Sequence, residues 1–165
     1  MVIRPEIAAD IERVRRVNQL AFGGEDEARI VDRVRETSES IVSLVADDGH
    51  VVGHILLSPV TLASNYAPVL MGMGPVAVTP ERQRLGIGSA LISAGLDECR
   101  RLGAGGVIVV GHPEFYPRFG FSRASGFGLT CEFEVLDEVF MALELVEGGF
   151  GAGGLIRYHP AFSES

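Results

Sequence analysis

The run Val76-Ala77-Val78-Thr79-Pro80-Glu81-Arg82-Gln83-Arg84-Leu85-Gly86-Ile87-Gly88-Ser89-Ala90-Leu91 decides how the rest of the chain is read. It passes from an apolar strand through a charged turn and a glycine-containing loop into a helix. Such a loop aims several backbone N–H groups at one point, and the positive end of the helix dipole adds to them. Gly86 and Gly88 remove the Cβ that would keep an anion away from the backbone. On physical grounds this is a cradle for a pyrophosphate, with Arg82 and Arg84 adding positive charge nearby.

Outward from that loop, the helix is predicted over 87–102, because Leu91, Ile92, Gly95, Leu96, Cys99 and Leu102 form one apolar stripe. Gly103, Gly105 and Gly106 end it, and 107–110 is a buried strand. On the other side, 69–78 is a long apolar strand whose Gly72, Gly74 and Pro75 predict a splay or bulge. Further upstream come an edge strand at 2–4, helices over 8–22 and 25–36 parted by Gly23-Gly24, and strands at 41–46 and 50–57. Asp47-Asp48-Gly49 marks the tight turn between those two strands, and Asn65 to Pro68 marks another turn. Downstream, 113–121 is a short aromatic turn or helix, followed by strands at 129–132 and 139–145 and a glycine-rich stretch at 148–154. The order predicts an α/β (α+β) chain of one domain over 1–165: a mixed, mostly antiparallel central sheet with a splayed strand and helices on both faces.

Composition narrows the function. The 165 residues carry 14 basic and 22 acidic side chains, a net charge of −8, which disfavours a nucleic-acid partner. All the basic residues are Arg, so a P-loop and a Schiff-base mechanism, both of which need Lys, are excluded. The third Gly or Ala of the dinucleotide fingerprint is also missing after Gly88. No Asp, Glu, Lys or Arg occurs from Gly49 to Pro80, but prolines and glycines cut this run into pieces too short for a membrane span. Cys99 and Cys131 form no CxxC pattern, and the start lacks a secretory apolar core, so the expected location is cytoplasmic. His50 and His54, if both on one strand, stand roughly 13 Å apart and cannot share an ion. No metal site is expected.

Gln83-Arg84-Leu85-Gly86-Ile87-Gly88 is a Gln/Arg-x-x-Gly-x-Gly/Ala motif directly after a splayed strand, and in this context it resembles the acetyl-CoA-binding motif of the GNAT N-acetyltransferase superfamily. Element order over nearly the whole chain is similar to that family's. The resemblance implies that backbone groups of Val76, Ala77 and Val78 pair with the pantetheine arm as an added strand. Gln83, Arg84, Leu85, Gly86, Ile87, Gly88 and Ser89 would then hold the pyrophosphate, and the Val78 N–H would stabilise the oxyanion. It also implies that Tyr116, four residues before Gly120-Phe121, protonates the departing thiolate. Pro117 is a departure, since it biases Tyr116 away from helical dihedrals. The runs 111–121 and 157–162 look like a bacterial branch of predicted N-acetyltransferases.

The function so implied is acetyl-CoA-dependent transfer to a primary amine of a small molecule or a peptide. The alternatives are a non-catalytic acyl-CoA-binding or sensing module and a transferase of longer acyl chains. Glu25, Asp26, Glu27, His112 and Glu114 are the candidates for a general base, and the residues alone do not choose among them. A monomer and a homodimer are both compatible with the sequence.

Overall fold

The computed structural model describes residues 1–38, 40–63 and 69–163, and the turn expected at Asn65 to Pro68 lies outside the described residues. The chain divides into two compact units. The first comprises Met1–Ser58, Gly74–Glu98 and Pro160–Ser165, and the second Pro59–Met73 and Cys99–His159.

In the first unit, β1 (Val2–Pro5) pairs antiparallel with β2 (Val42–Asp47), from Val2 opposite Asp47 to Pro5 opposite Leu44. β2 in turn pairs antiparallel with β3 (Val51–Leu62), from Val42 opposite Leu57 to Asp47 opposite Val51. Helix α1 (Ile11–Phe22) ends at Gly23, which takes φ 73° and donates its N–H to Gln19 O. That left-handed turn is open to glycine without a Cβ penalty. Helix α2 (Asp26–Thr37) follows, and its Ala28, Val31 and Val34 are buried at helical spacing.

β3 is covered on both sides, which explains why it reads as an unbroken apolar run rather than an alternating one. Val14 and Val17 of α1 and Val31 and Val34 of α2 cluster with Val45 and Leu56. On the opposite face lies α3 (Ile87–Arg101). A Cβ on Gly53 would stand 3.0 Å from Leu91 Cδ1, and one on Gly95 would stand 2.8 Å from Leu57 Cδ1. Residues 53, 55 and 57 therefore face α3, while 54 and 56 face α1 and α2, as the two-residue period of a strand requires. Leu91, at 0% exposure, sits in this close contact, where truncation to Ala costs about 2–5 kcal/mol.

In the second unit, β4 (Leu70–Val78) begins in parallel with β5 (Gly106–Val110), from Leu70 opposite Gly106 to Gly72 opposite Ile108. Their pairing stops there although both strands continue, which is the splay expected from Gly72, Gly74 and Pro75. β5 then pairs antiparallel with β8 (Phe140–Glu144), and β8 with the short β6 (Ser122–Arg123). β7 (Leu129–Cys131) lies parallel to β9 (Gly154–Arg157), which takes Thr61 and Leu62 of β3 as antiparallel partners. Phe150, Ile108, Leu129 and Ile156 form its core. Phe150 stacks against Gly106, where a Cβ would meet its ring at 2.3 Å. The result is a mixed, mostly antiparallel sheet with three α-helices.

Two expectations change in detail. The strand expected to stop at Leu57 runs to Leu62 through Pro59. The imino nitrogen falls between the end of the β2 register at Leu57 and the start of the β9 register at Thr61, where no ladder to either strand needs its N–H. β6 and β9 carry too few residues to show a period, and neither is expected from sequence.

Candidate acetyl-CoA loop and tyrosine turn

The phosphate-type loop lies in the first unit. Just beyond β4, the Thr79 N–H donates to Val52 O of β3 at 2.9 Å. Backbone N–H groups alternate in direction along an antiparallel strand. Ala77 thus points its N–H toward β3 with Thr79, so its backbone does not face the open side as expected for the pantetheine arm, while Val76 and Val78 point theirs away. The Gln83 side chain closes the loop by donating from Nε2 to Val78 O at 3.0 Å. Residues 80–82 form a 3-10 turn, and Arg84 and Gly86 take φ of 65° and 85°. Helix α3 starts at Ile87, and its first bond runs from Ala90 N–H to Gly86 O at 3.0 Å. The N–H groups of Ile87, Gly88 and Ser89 precede that bond and have no acceptor inside the helix.

Space around these amides suits an anion. A Cβ on Gly86 would meet no atom within 4 Å, and one on Gly88 would meet only Val78 Cγ2 at 3.9 Å. Gly86 is thus demanded by its dihedral rather than by crowding. Gln83, Arg84, Leu85 and Gly86 are exposed, whereas Ile87 is buried and fixes the helix below them. The charge differs from expectation in one respect. Arg82 is ion-paired with Asp48 in the turn between β2 and β3, so its cation is neutralised within the protein. Arg84 remains exposed.

Tyr116 lies in the second unit. It opens a 3-10 turn over Tyr116–Phe119, with Pro117 as the second residue, so the expected departure from helical dihedrals is corrected. Proline is tolerated in a first turn because the N–H it lacks would find no partner there. The Tyr116 ring packs edge-on against Phe115 at 5.2 Å and Phe121 at 5.8 Å between centroids. It also lies over Gly111, where a Cβ would stand 2.4 Å from Tyr116 Cε2. Burial raises its pKa above the ordinary phenol value and keeps the proton on oxygen at neutral pH. No hydrogen bond from the described residues engages its hydroxyl.

The base candidates stay apart. Glu25 precedes α2 and Asp26 and Glu27 occupy its first turn, where acidic side chains favour the helix dipole. Asp26 pairs with Arg29 at 3.4 Å. His112 and Glu114 are exposed, and the His112 carbonyl accepts the Phe115 N–H at 3.1 Å. His50 lies 3.6 Å from Asp48, whereas His54 is fully buried with both ring nitrogens engaged. Asn18 Nδ2 donates to His54 Nδ1 at 3.3 Å, which leaves Nε2–H to donate to Ser43 Oγ at 2.8 Å. His54 is therefore a core histidine with partners. Among the described residues, no group of three or more His, Cys, Asp or Glu is placed to hold a metal ion. Neither Cys99 nor Cys131 forms a disulfide among the described residues. Sequence reasoning singled out neither Asp48 as the partner of Arg82 nor Gly111 as the residue beneath the Tyr116 ring.

The chain is similar to known acetyltransferases along its whole length. A family model described as Acetyltransferase (GNAT) domain matches residues 2–124. The uncharacterized N-acetyltransferase YhbS of Escherichia coli is 31% identical over 166 residues, covering 99% of each chain. The crystal structure of YhbS in complex with CoA superposes with a TM-score of 0.92, covering 99% of this chain and 92% of that one. A GNAT family acetyltransferase from Brucella melitensis in complex with acetyl-CoA is 35% identical with a TM-score of 0.80, covering 98% and 97%. No helix among the described residues is long and apolar enough to cross a membrane. With the glycine loop, the splayed strand and the mostly antiparallel sheet all in place, the chain belongs to the GNAT acetyltransferase family.

Proposed function

We propose that the chain is a cytoplasmic, acetyl-CoA-dependent N-acetyltransferase, acting as one catalytic domain, that moves an acetyl group to a primary amine by direct attack in a ternary complex. The observation that carries this reading is the loop at 83–89, with its positive-φ Gly86, open space above it and helix-start amides. The CoA and acetyl-CoA bound to the similar proteins support the choice of ligand.

Each residue then has a task. The amides from Arg84 to Ser89 hold the pyrophosphate, and the outward-pointing backbone groups of Val76 and Val78 take the pantetheine arm as a further strand. The amine nitrogen attacks the thioester carbonyl carbon, and the Val78 N–H donates to the oxygen that becomes negative. A well-placed donor of this kind is worth about 3–4 kcal/mol. As the C–S bond breaks, Tyr116 gives its proton to the thiolate, and the buried phenol suits this role because it is held protonated. The amine's own proton passes to one of Glu25, Asp26, Glu27, His112 or Glu114, which single substitutions separate through the pH–rate profile.

A broad screen of primary amines with detection of released thiol tests the proposal. Thiol release that depends on both acetyl-CoA and one amine class is expected. Tight acetyl-CoA binding with no transfer to any amine would favour the sensing module instead.

A further inference from the structure

The turn between β2 and β3 holds two adjacent carboxylates that do different things. Asp47 accepts the Gly49 N–H at 2.9 Å and pairs with Arg4 at 3.1 Å, which ties the turn to β1. Asp48 turns to Arg82, which is 34 residues away and closes the 3-10 turn leading into the glycine loop. The Asp48 side chain is 16% exposed and that of Arg82 36%, so the pair is shielded more than an ordinary surface bridge. Asp48 binds Arg82 through Oδ2, while its Oδ1 is buried without a hydrogen bond, 3.6 Å from His50 Nδ1.

Among the described residues, little else restrains the loop. Residues 80–83 are held locally by Arg82 N–H to Thr79 O at 2.9 Å and by a long Gln83 N–H to Pro80 O contact of 3.4 Å. The Gln83–Val78 bond is exposed, and the residues from Gln83 to Gly86 present themselves to solvent. Arg84 also sits at φ 65°, a conformation that costs a residue with a Cβ and so needs support from outside.

We infer that Asp48 is a positioning residue: through its ion pair with Arg82 it holds the loop at 83–89 in the shape that receives the phosphates of acetyl-CoA. This rests on the proposed function for the identity of the ligand. The gain is preorganisation, since a loop already ordered loses less conformational freedom on binding. It also gives Arg82 a task other than touching phosphate.

Three variants test this: Asp48→Asn, Arg82→Gln and the two together. Each single change is expected to weaken acetyl-CoA binding about tenfold by calorimetry, and the double variant to be no weaker than either single. KM for acetyl-CoA should rise while kcat at saturation stays within about twofold, since loop order acts before chemistry. In the unliganded protein, amides 82–89 should exchange hydrogen faster in Asp48→Asn. Unchanged or tighter binding in Asp48→Asn, with weaker binding in Arg82→Gln, would overturn the inference and make Arg82 a direct phosphate ligand. Additive losses in the double variant would overturn it too. If the wild-type protein fails to bind acetyl-CoA, the proposed function falls. The exchange measurement then still decides the role of Asp48, because unchanged exchange contradicts it.

Discussion

The loop at 83–89 and the turn at 111–121 solve opposite problems. The first is open, exposed and built from backbone: its Gly86 takes φ 85° with nothing within 4 Å of a Cβ position. The second is crowded and built from rings: Tyr116 is wedged among Phe115, Phe121 and the bare Cα of Gly111. The proposed function draws on backbone amides and open space in the loop, whereas in the turn it draws on one hydroxyl held by packed rings. Binding and chemistry should therefore respond to different substitutions.

The largest effect is expected from removing that hydroxyl. Tyr116→Phe keeps the ring packing, so acetyl-CoA affinity and thermal stability should barely change while kcat falls by about 10²–10⁴-fold. A full-rate Phe variant would break the contrast by moving the acid elsewhere. Gly111→Ala is next. Its Cβ would stand 2.4 Å from Tyr116 Cε2, so the ring must shift. Displacement of a positioned group should lower kcat by about tenfold, with unaltered acetyl-CoA binding.

His54 sharpens the same contrast by offering a buried ring whose polar atoms are all engaged. Burial, and secondarily the charge of Arg35, pushes its pKa down to about 3. The unfolded chain takes a proton below about 6.5 and the folded one does not, so stability is full above pH 6.5 and is lost as pH falls toward 3. The slope due to this one group is roughly 1.4 kcal/mol per pH unit. His54→Gln should flatten that slope between pH 6.5 and 4.5 in denaturant titrations, and a wild-type stability already flat over this range would contradict it. The smallest effect is expected for the cysteines. Burial raises the Cys131 thiol pKa, which makes it a poor nucleophile, and Cys99 lies at 0% exposure in α3. Cys99→Ala with Cys131→Ala should leave kcat unchanged, and a collapse in rate with normal folding would point to an acyl-enzyme route.

The shape of the loop was legible in the sequence because it is set by glycine spacing and by the helix that follows. α1, α2 and α3 were legible for the same local reason, a repeated apolar stripe. Tyr116 was singled out only through family resemblance, and its 3-10 setting was not legible, since Pro117 reads locally as a helix breaker but sits harmlessly in a first turn. The Asp48–Arg82 pair was not legible at all. Asp48 reads as part of a turn and Arg82 as a free cation, and only the antiparallel return of β3 and β4 brings them together. Strand β9 escaped notice because its pairing with β7 and β3 is set by distant residues rather than by its own four.

Acetyl-CoA is expected to bind at the glycine loop, and one calorimetric titration reads this. The wild-type chain is compared with Gly86→Glu, which puts bulk, a strained dihedral and negative charge into the cradle while leaving the buried residues untouched. Wild-type binding at micromolar to sub-millimolar acetyl-CoA is expected, with affinity weakened by at least about 100-fold in the folded variant, equivalent to about 2.7 kcal/mol. No heat of binding in the wild type at millimolar acetyl-CoA, or equal affinity in the two proteins, would contradict it.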